Sequence, residues 1–162
     1  MKDFLLSVFL LLSLAASAQW TKLTSYDKYD EMAQEYMDRD DGYTYVINYW
    51  ATWCGPCVKE LPYFEQLLKD YSHDKTKVIL VSLDFPKKVD SKLLPFLNKH
   101  NIQSEVVILD DPKSNIWIDK VDLSWEGAIP VTIIYRGEKR VFWDGEFDTY
   151  EDLDKLFLSI HN

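Results

Sequence analysis

A chain of 162 residues that is 47% hydrophobic and 28% charged fits one globular domain with room for a real core. Its formal net charge of −9 argues against nucleic acid or an anionic membrane surface as a partner. Six Trp and ten Tyr make either the core or an exposed face rich in aromatic rings.

Residues 1–18 carry the pattern of a secretory signal. Lys2 gives a thin positive start, an apolar run covers 4–16, and Ala16-Ser17-Ala18 precedes a cut ahead of Gln19. The run is short and early for a membrane span, and an uncleaved anchor is the alternative. Residues 19–162 then read as one domain, without internal repeats or a low-complexity linker. Tyr29, Met32, Ala33, Tyr36 and Met37 have helical spacing, which predicts a helix over 25–39 that stops at Asp40-Asp41-Gly42. A β-rich run over 43–50 leads into a predicted helix over 54–71, with Leu61, Phe64, Leu67, Leu68 and Tyr71 on one side. The continuous apolar run 78–83 reads as a central buried strand. A helix over 91–101, a short strand over 105–109 and a helical turn over 114–119 follow. Runs 131–136 and 139–144 flank Gly137-Glu138, a hairpin signal, and an amphipathic helix over 150–160 closes the chain. Strand–helix alternation first and a hairpin late predict an α/β sandwich with a mixed sheet.

Between the strand at 43–50 and the helix that follows lies Trp50-Ala51-Thr52-Trp53-Cys54-Gly55-Pro56-Cys57, which holds the only two cysteines. At this spacing on a helix start, two sulfurs can close a small disulfide and reopen it. The partial positive charge of a helix N-terminus favours thiolate at Cys54, and thiolate is the form that attacks disulfides. With no other cysteine, cross-linking of the fold explains the pair poorly, and a four-cysteine zinc site is impossible within one chain. No metal and no cofactor is expected. An exported chain with this pair alone points to an oxidising compartment where the pair does chemistry.

Three elements combine into a specific pattern: Trp53-Cys54-Gly55-Pro56-Cys57, then Glu60 and Pro62 in the next helix, then Ile129-Pro130-Val131-Thr132 before an apolar strand. Over residues 43–160 they resemble the thioredoxin superfamily, and within it the exported TlpA/ResA-like thiol–disulfide oxidoreductases. The resemblance implies a thioredoxin-like three-layer sandwich, a central mixed β-sheet flanked by helices. It implies Cys54 as nucleophile at the exposed helix tip and Cys57 as the more shielded resolving cysteine. Trp53, Gly55, Pro56, Ile129 and Pro130 would then border the bound substrate, with Trp53 covering the nucleophile. Pro130 matches the family's cis-proline, which would set the backbone of Ile129 beside the pair for a substrate strand; a trans-proline opening a strand is the alternative. Pro62 matches the proline that kinks the active-site helix, against the alternative of a residue ending a short helix. Gly55-Pro56 resembles the reducing members.

Two positions depart from thioredoxin. Asn48 stands where thioredoxin has a buried aspartate, and Leu80 replaces the lysine paired with it. Proton transfer at Cys57 therefore needs another group, and Glu60, one turn on, which the resemblance puts in the place of the TlpA/ResA-like helix glutamate, is the candidate. A partly buried carboxyl there has a raised pKa and suits general acid–base work; a solvated acid favouring the helix dipole is the alternative. Trp125 would either line a substrate surface or belong to the core, and Asp84 reads as a turn cap before Pro86. His73, His100 and His161 have no ligand spacing and read as surface residues.

The resulting expectation is an exported, monomeric reductant of protein disulfides in the periplasm of a Gram-negative bacterium, re-reduced by a membrane or envelope thiol electron donor. A disulfide oxidant or isomerase keeps the chemistry and reverses or reshuffles it. A thiol-based metal-binding module is the reading from another class, and no histidine lies near the pair in sequence to support it.

Overall fold

The computed structural model describes residues 19–37 and 39–162, so the signal-like segment lies outside the described residues. Six strands form one sheet in the order β1-β4-β3-β2-β5-β6. These are β1 (Thr24–Tyr26), β2 (Thr44–Trp50), β3 (Thr76–Ser82), β4 (Glu105–Leu109), β5 (Val131–Arg136) and β6 (Lys139–Asp144). The first four run parallel to one another, and β5 and β6 complete the sheet as an antiparallel hairpin. The mixed sheet expected from the sequence is thus the one found.

Strand β2 is buried along its whole length, because apolar layers cover both faces of the sheet. Val46 and Trp50 face Leu61, Phe64 and Leu67 of α2 (Gly55–Asp70), Leu97 of α3 (Leu94–Lys99) and Leu153 and Phe157 of α5 (Tyr150–His161). Tyr45, Ile47 and Tyr49 face Tyr29, Met32 and Tyr36 of α1 (Tyr29–Tyr36) and Trp117 and Val121 of α4 (Ser114–Val121). Each fully buried Leu or Phe contributes roughly 1.5–3 kcal/mol of transfer free energy. The aromatic content is therefore mostly core: Tyr29, Trp117, Tyr49 and Trp125 form one chain of rings 5.2–6.3 Å apart.

Two stretches differ from their sequence reading. Among the described residues of the helix expected over 25–39, only Tyr29–Tyr36 is helical. Thr24–Tyr26 instead pairs in parallel with Val107, Ile108 and Leu109 at the sheet edge, a long-range gain that periodicity does not register. The helix start is fixed from afar, since the Tyr29 amide donates to Asp111 Oδ2 at 3.0 Å. In place of the helix expected over 91–101 stand the end of a π turn (Val89–Leu93) and α3, and a 3₁₀ turn (Pro86–Lys88) precedes them. Pro95 in the first turn of α3 has no N–H to continue the ladder from the preceding turn. By contrast, α2 continues through Pro62 to Asp70 and does not end there.

Candidate active site

The parallel strands all end at one edge of the sheet, and the chain leaves β2 there to build the site. The Cys54 amide donates to Ala51 O at 3.1 Å, a tight turn that sets Cys54 as the N-cap of α2. Its Sγ accepts the Cys57 amide at 3.3 Å. This is the electrostatic help that a helix N-terminus gives to sulfur carrying negative charge. Cys54 and Cys57 are joined as a disulfide with Cα atoms 5.3 Å apart. Cys57 is fully buried, and Cys54 is itself only 7% exposed, more covered than its place at the helix tip suggests. Gly55 and Pro56 are exposed beside it. Trp53 is 59% exposed, so most of its ring faces solvent.

The second wall comes from the loop before β5. The Ile129–Pro130 peptide bond is cis, as the motif implied, and Ile129 O lies 3.7 Å from Cys54 Sγ. Trp125 braces this loop from inside the core: it is buried, and its indole Nε1–H donates to Ala128 O at 2.6 Å. It is therefore a core ring and not part of a substrate surface. Gly127 sits at φ +90, a backbone conformation that favours glycine, and a Cβ there would stand 3.0 Å from Ile118 Cδ1, which would have to give way.

Glu60 follows Cys57 by three residues on α2, so the two share a helix face. Its side chain is buried, not solvated. The amide of Asn48 donates to Oε1 at 3.0 Å, and the Phe147 N–H donates to Oε2 at 2.8 Å. Burial pushes the carboxyl up to about 7, while those two donors pull the other way. Asn48 Nδ2 also donates to Thr132 Oγ1 at 3.0 Å, and Asn48 Oδ1 has no partner among the described residues. Leu80 stands opposite Asn48 in β3 and adds only apolar bulk. The thioredoxin-like aspartate–lysine pair is thus replaced by an asparagine that holds a carboxylate from the helix.

Asp84 departs from its expected role. It is buried and turns back: Oδ2 accepts the Thr52 amide at 2.9 Å and Oδ1 accepts the Thr52 hydroxyl at 2.5 Å. Ser82 Oγ donates to it as well, at 2.9 Å. Asp84 therefore fastens the loop that carries Cys54, and the turn at Pro86 receives no side-chain cap. His161 also departs, since it is half-buried at the far end of the sheet. Its ring stacks on Phe157 at 4.7 Å and its Nδ1 lies 2.8 Å from Thr44 Oγ1. Burial lowers its pKa, with the Arg136 charge adding to the effect. Sequence reading also missed Phe147, whose contribution is a backbone N–H and carries no side-chain signal.

A sheet of this topology, a CxxC disulfide capping the central helix and a cis-proline loop against the first sulfur define a thioredoxin-like dithiol–disulfide protein. The chain belongs to the AhpC/TSA family, whose model matches residues 20–143. It is similar to the thioredoxin-like protein YneN of Bacillus subtilis, 33% identical over 63 residues, 39% of this chain and 36% of that one. It is similar also to the thiol-disulfide oxidoreductase ResA of Geobacillus kaustophilus, 37% identical over 116 residues, 70% of this chain and 61% of that one. The matched segments thus span about a third to three-fifths of these relatives' own lengths. Among solved structures, a DsbF homologue from Corynebacterium diphtheriae superposes with a TM-score of 0.60 at 19% identity, covering 79% of this chain and 76% of that one. That likeness supports the fold. The ResA-like resemblance read from the motifs is borne out.

Proposed function

We propose that this chain is an exported thiol–disulfide oxidoreductase that reduces disulfides in envelope proteins. The observation that carries the reading is the buried Glu60, held by Asn48 and the Phe147 amide on the Cys57 face of α2. In the reduced protein the Cys54 thiolate attacks one sulfur of a substrate disulfide, forming a mixed disulfide and releasing the other sulfur as thiolate. The Glu60 carboxylate takes the proton of the Cys57 thiol. The Cys57 thiolate then attacks Cys54, which expels the second substrate sulfur and closes the Cys54–Cys57 disulfide. Two electrons pass from the protein to the substrate, and an envelope thiol donor returns them. Export rests on the signal-like residues 1–18, and the reducing direction on the Gly55-Pro56 dipeptide.

Equilibration of the pair with dithiothreitol buffers tests the direction. A potential near roughly −270 mV supports a reductant, and one near about −120 mV makes the protein an oxidant. Cys57→Ser tests the sequence of steps, since it should accumulate a mixed disulfide on Cys54, visible by mass spectrometry. If none accumulates, the two-step scheme is wrong.

A further inference from the structure

Among the described residues five large apolar side chains are exposed: Trp53, Phe85, Ile116, Leu123 and Trp143. Three of them gather at the sheet edge that carries the disulfide. Trp53 precedes Cys54. Trp143, 39% exposed, pairs with Thr132 near the end of β6, and the Gly145 amide donates to Pro130 O at 3.1 Å, so it flanks the cis-proline. Phe85 lies three residues beyond the end of β3 and is 68% exposed.

The place of Phe85 is fixed by Asp84. In β2 and β3, Trp50 pairs with Ser82, and the Leu83 amide donates to Trp50 O at 2.8 Å. The same offset of 32 residues persists in the two hydrogen bonds that join Thr52 to Asp84. Trp53 and Phe85 are the next residues on each segment. A buried carboxylate thus holds an exposed phenylalanine next to the loop of the nucleophile. Phe85 belongs to neither apolar layer of the core, and its loop is fastened to the one that carries Cys54, which makes the bound substrate the natural partner of so exposed a ring.

We propose that Phe85 is a specificity residue. With Trp53 it forms an apolar rim that receives a hydrophobic side chain flanking the substrate cysteine, so the preferred substrate is an unfolded segment with an apolar neighbour to its cysteine. This rests on the exchange reaction proposed above and adds the substrate class. The step is unchanged: Cys54 forms the mixed disulfide with the peptide sulfur, and the sulfur it displaces leaves as thiolate.

The test uses two short peptides, with cysteine flanked by Phe or by Ser, each as a mixed disulfide with thionitrobenzoate. Reduced protein attacks the peptide sulfur and releases coloured thionitrobenzoate. The Phe peptide should react about tenfold faster than the Ser peptide, the scale of partly burying one aromatic side chain. Phe85→Ser should bring that ratio close to one, while Leu123→Ser, an exposed site off this rim, should keep it. A wild-type ratio near one, a ratio retained in F85S, or an equal loss in L123S overturns the proposal. Release no faster than buffer alone for both peptides overturns instead the exchange reaction itself.

Discussion

The Asn48 amide donates to Glu60 Oε1 at 3.0 Å, and both side chains are buried. This joins β2 to the helix of the cysteines by a bond whose strength depends on a proton. With Glu60 ionised, Nδ2 faces the carboxylate and Oδ1 is left over, as found. With Glu60 protonated, its O–H needs an acceptor, and Nδ2, which also donates to Thr132 Oγ1 and lies 3.5 Å from Val131 O, cannot be one. The Asn48 bond therefore favours the ionised carboxyl while burial favours the protonated one, a balance that suits a group that gains and loses a proton in each cycle.

Glu60→Gln should therefore slow closure of the Cys54–Cys57 disulfide from a preformed mixed disulfide by roughly 10²-fold, the usual scale of lost general acid–base help. The wild-type rate should rise with pH through about 7, where Glu60 loses its proton, and E60Q should lack that inflection. Rapid-quench separation of the mixed disulfide across pH 5–9 reads both. An unchanged inflection in E60Q would assign it to another group.

The same carboxyl makes stability fall with pH. Its native pKa of about 7 lies above the ordinary 4.5, so between those values the folded state binds more protons than the unfolded state. Stability is then fullest below about 4.5, declines as pH rises, and reaches its full loss above about 7. A rise of this size corresponds to about 3 kcal/mol. Urea denaturation of the oxidised protein should show a decline on that order between pH 5 and pH 8 in the difference between wild type and E60Q, which cancels the opposite contribution of the lowered His161.

Asn48→Asp restores the residue type that thioredoxin carries, but places it against Glu60 in place of a lysine. Two carboxyl groups about 3 Å apart cannot both ionise cheaply, so they share one proton and titrate as a pair. One of the two apparent values should lie well above 7. Carboxyl-selective NMR titration of N48D should show this split, and a single transition near 4 would mean that the pair separates.

The sequence carried the site's chemistry further than its architecture. Cys54, Cys57 and Pro130 announce themselves through a spaced motif, and Glu60 through its place one turn after Cys57, where the TlpA/ResA-like resemblance puts a glutamate. β1 was hidden because Thr24–Tyr26 has no periodicity of its own and gains its order from β4, more than 80 residues away in the chain. The break before α3 was hidden because apolar spacing alone does not register a π turn. Asp84 looked like a local cap because local rules see only Pro86 ahead, whereas its partner Thr52 lies 32 residues back. The grip on Glu60 by Phe147 is a backbone donor, and any residue but proline supplies one.

The bond between Asp84 and Thr52 should be the strongest polar support of the active-site loop. Asp84→Ala strips the acceptor from the Thr52 amide, the Thr52 hydroxyl and the Ser82 hydroxyl at once. Buried donors left without partners cost about 1–3 kcal/mol each, partly recovered where water enters the vacated space. D84A should therefore lose roughly 3 kcal/mol in urea denaturation of the oxidised protein, and D84N, which keeps one acceptor oxygen, clearly less. Thr52→Val removes the hydroxyl donor and leaves the amide, so the cycle of T52V, D84A and the double variant isolates the hydroxyl bond. A coupling of about 1.5–3 kcal/mol is expected for a hydrogen bond to a carboxylate acceptor. Additive losses would show that the hydroxyl bond adds nothing to the hold, and that Asp84 acts through the Thr52 amide and Ser82 alone.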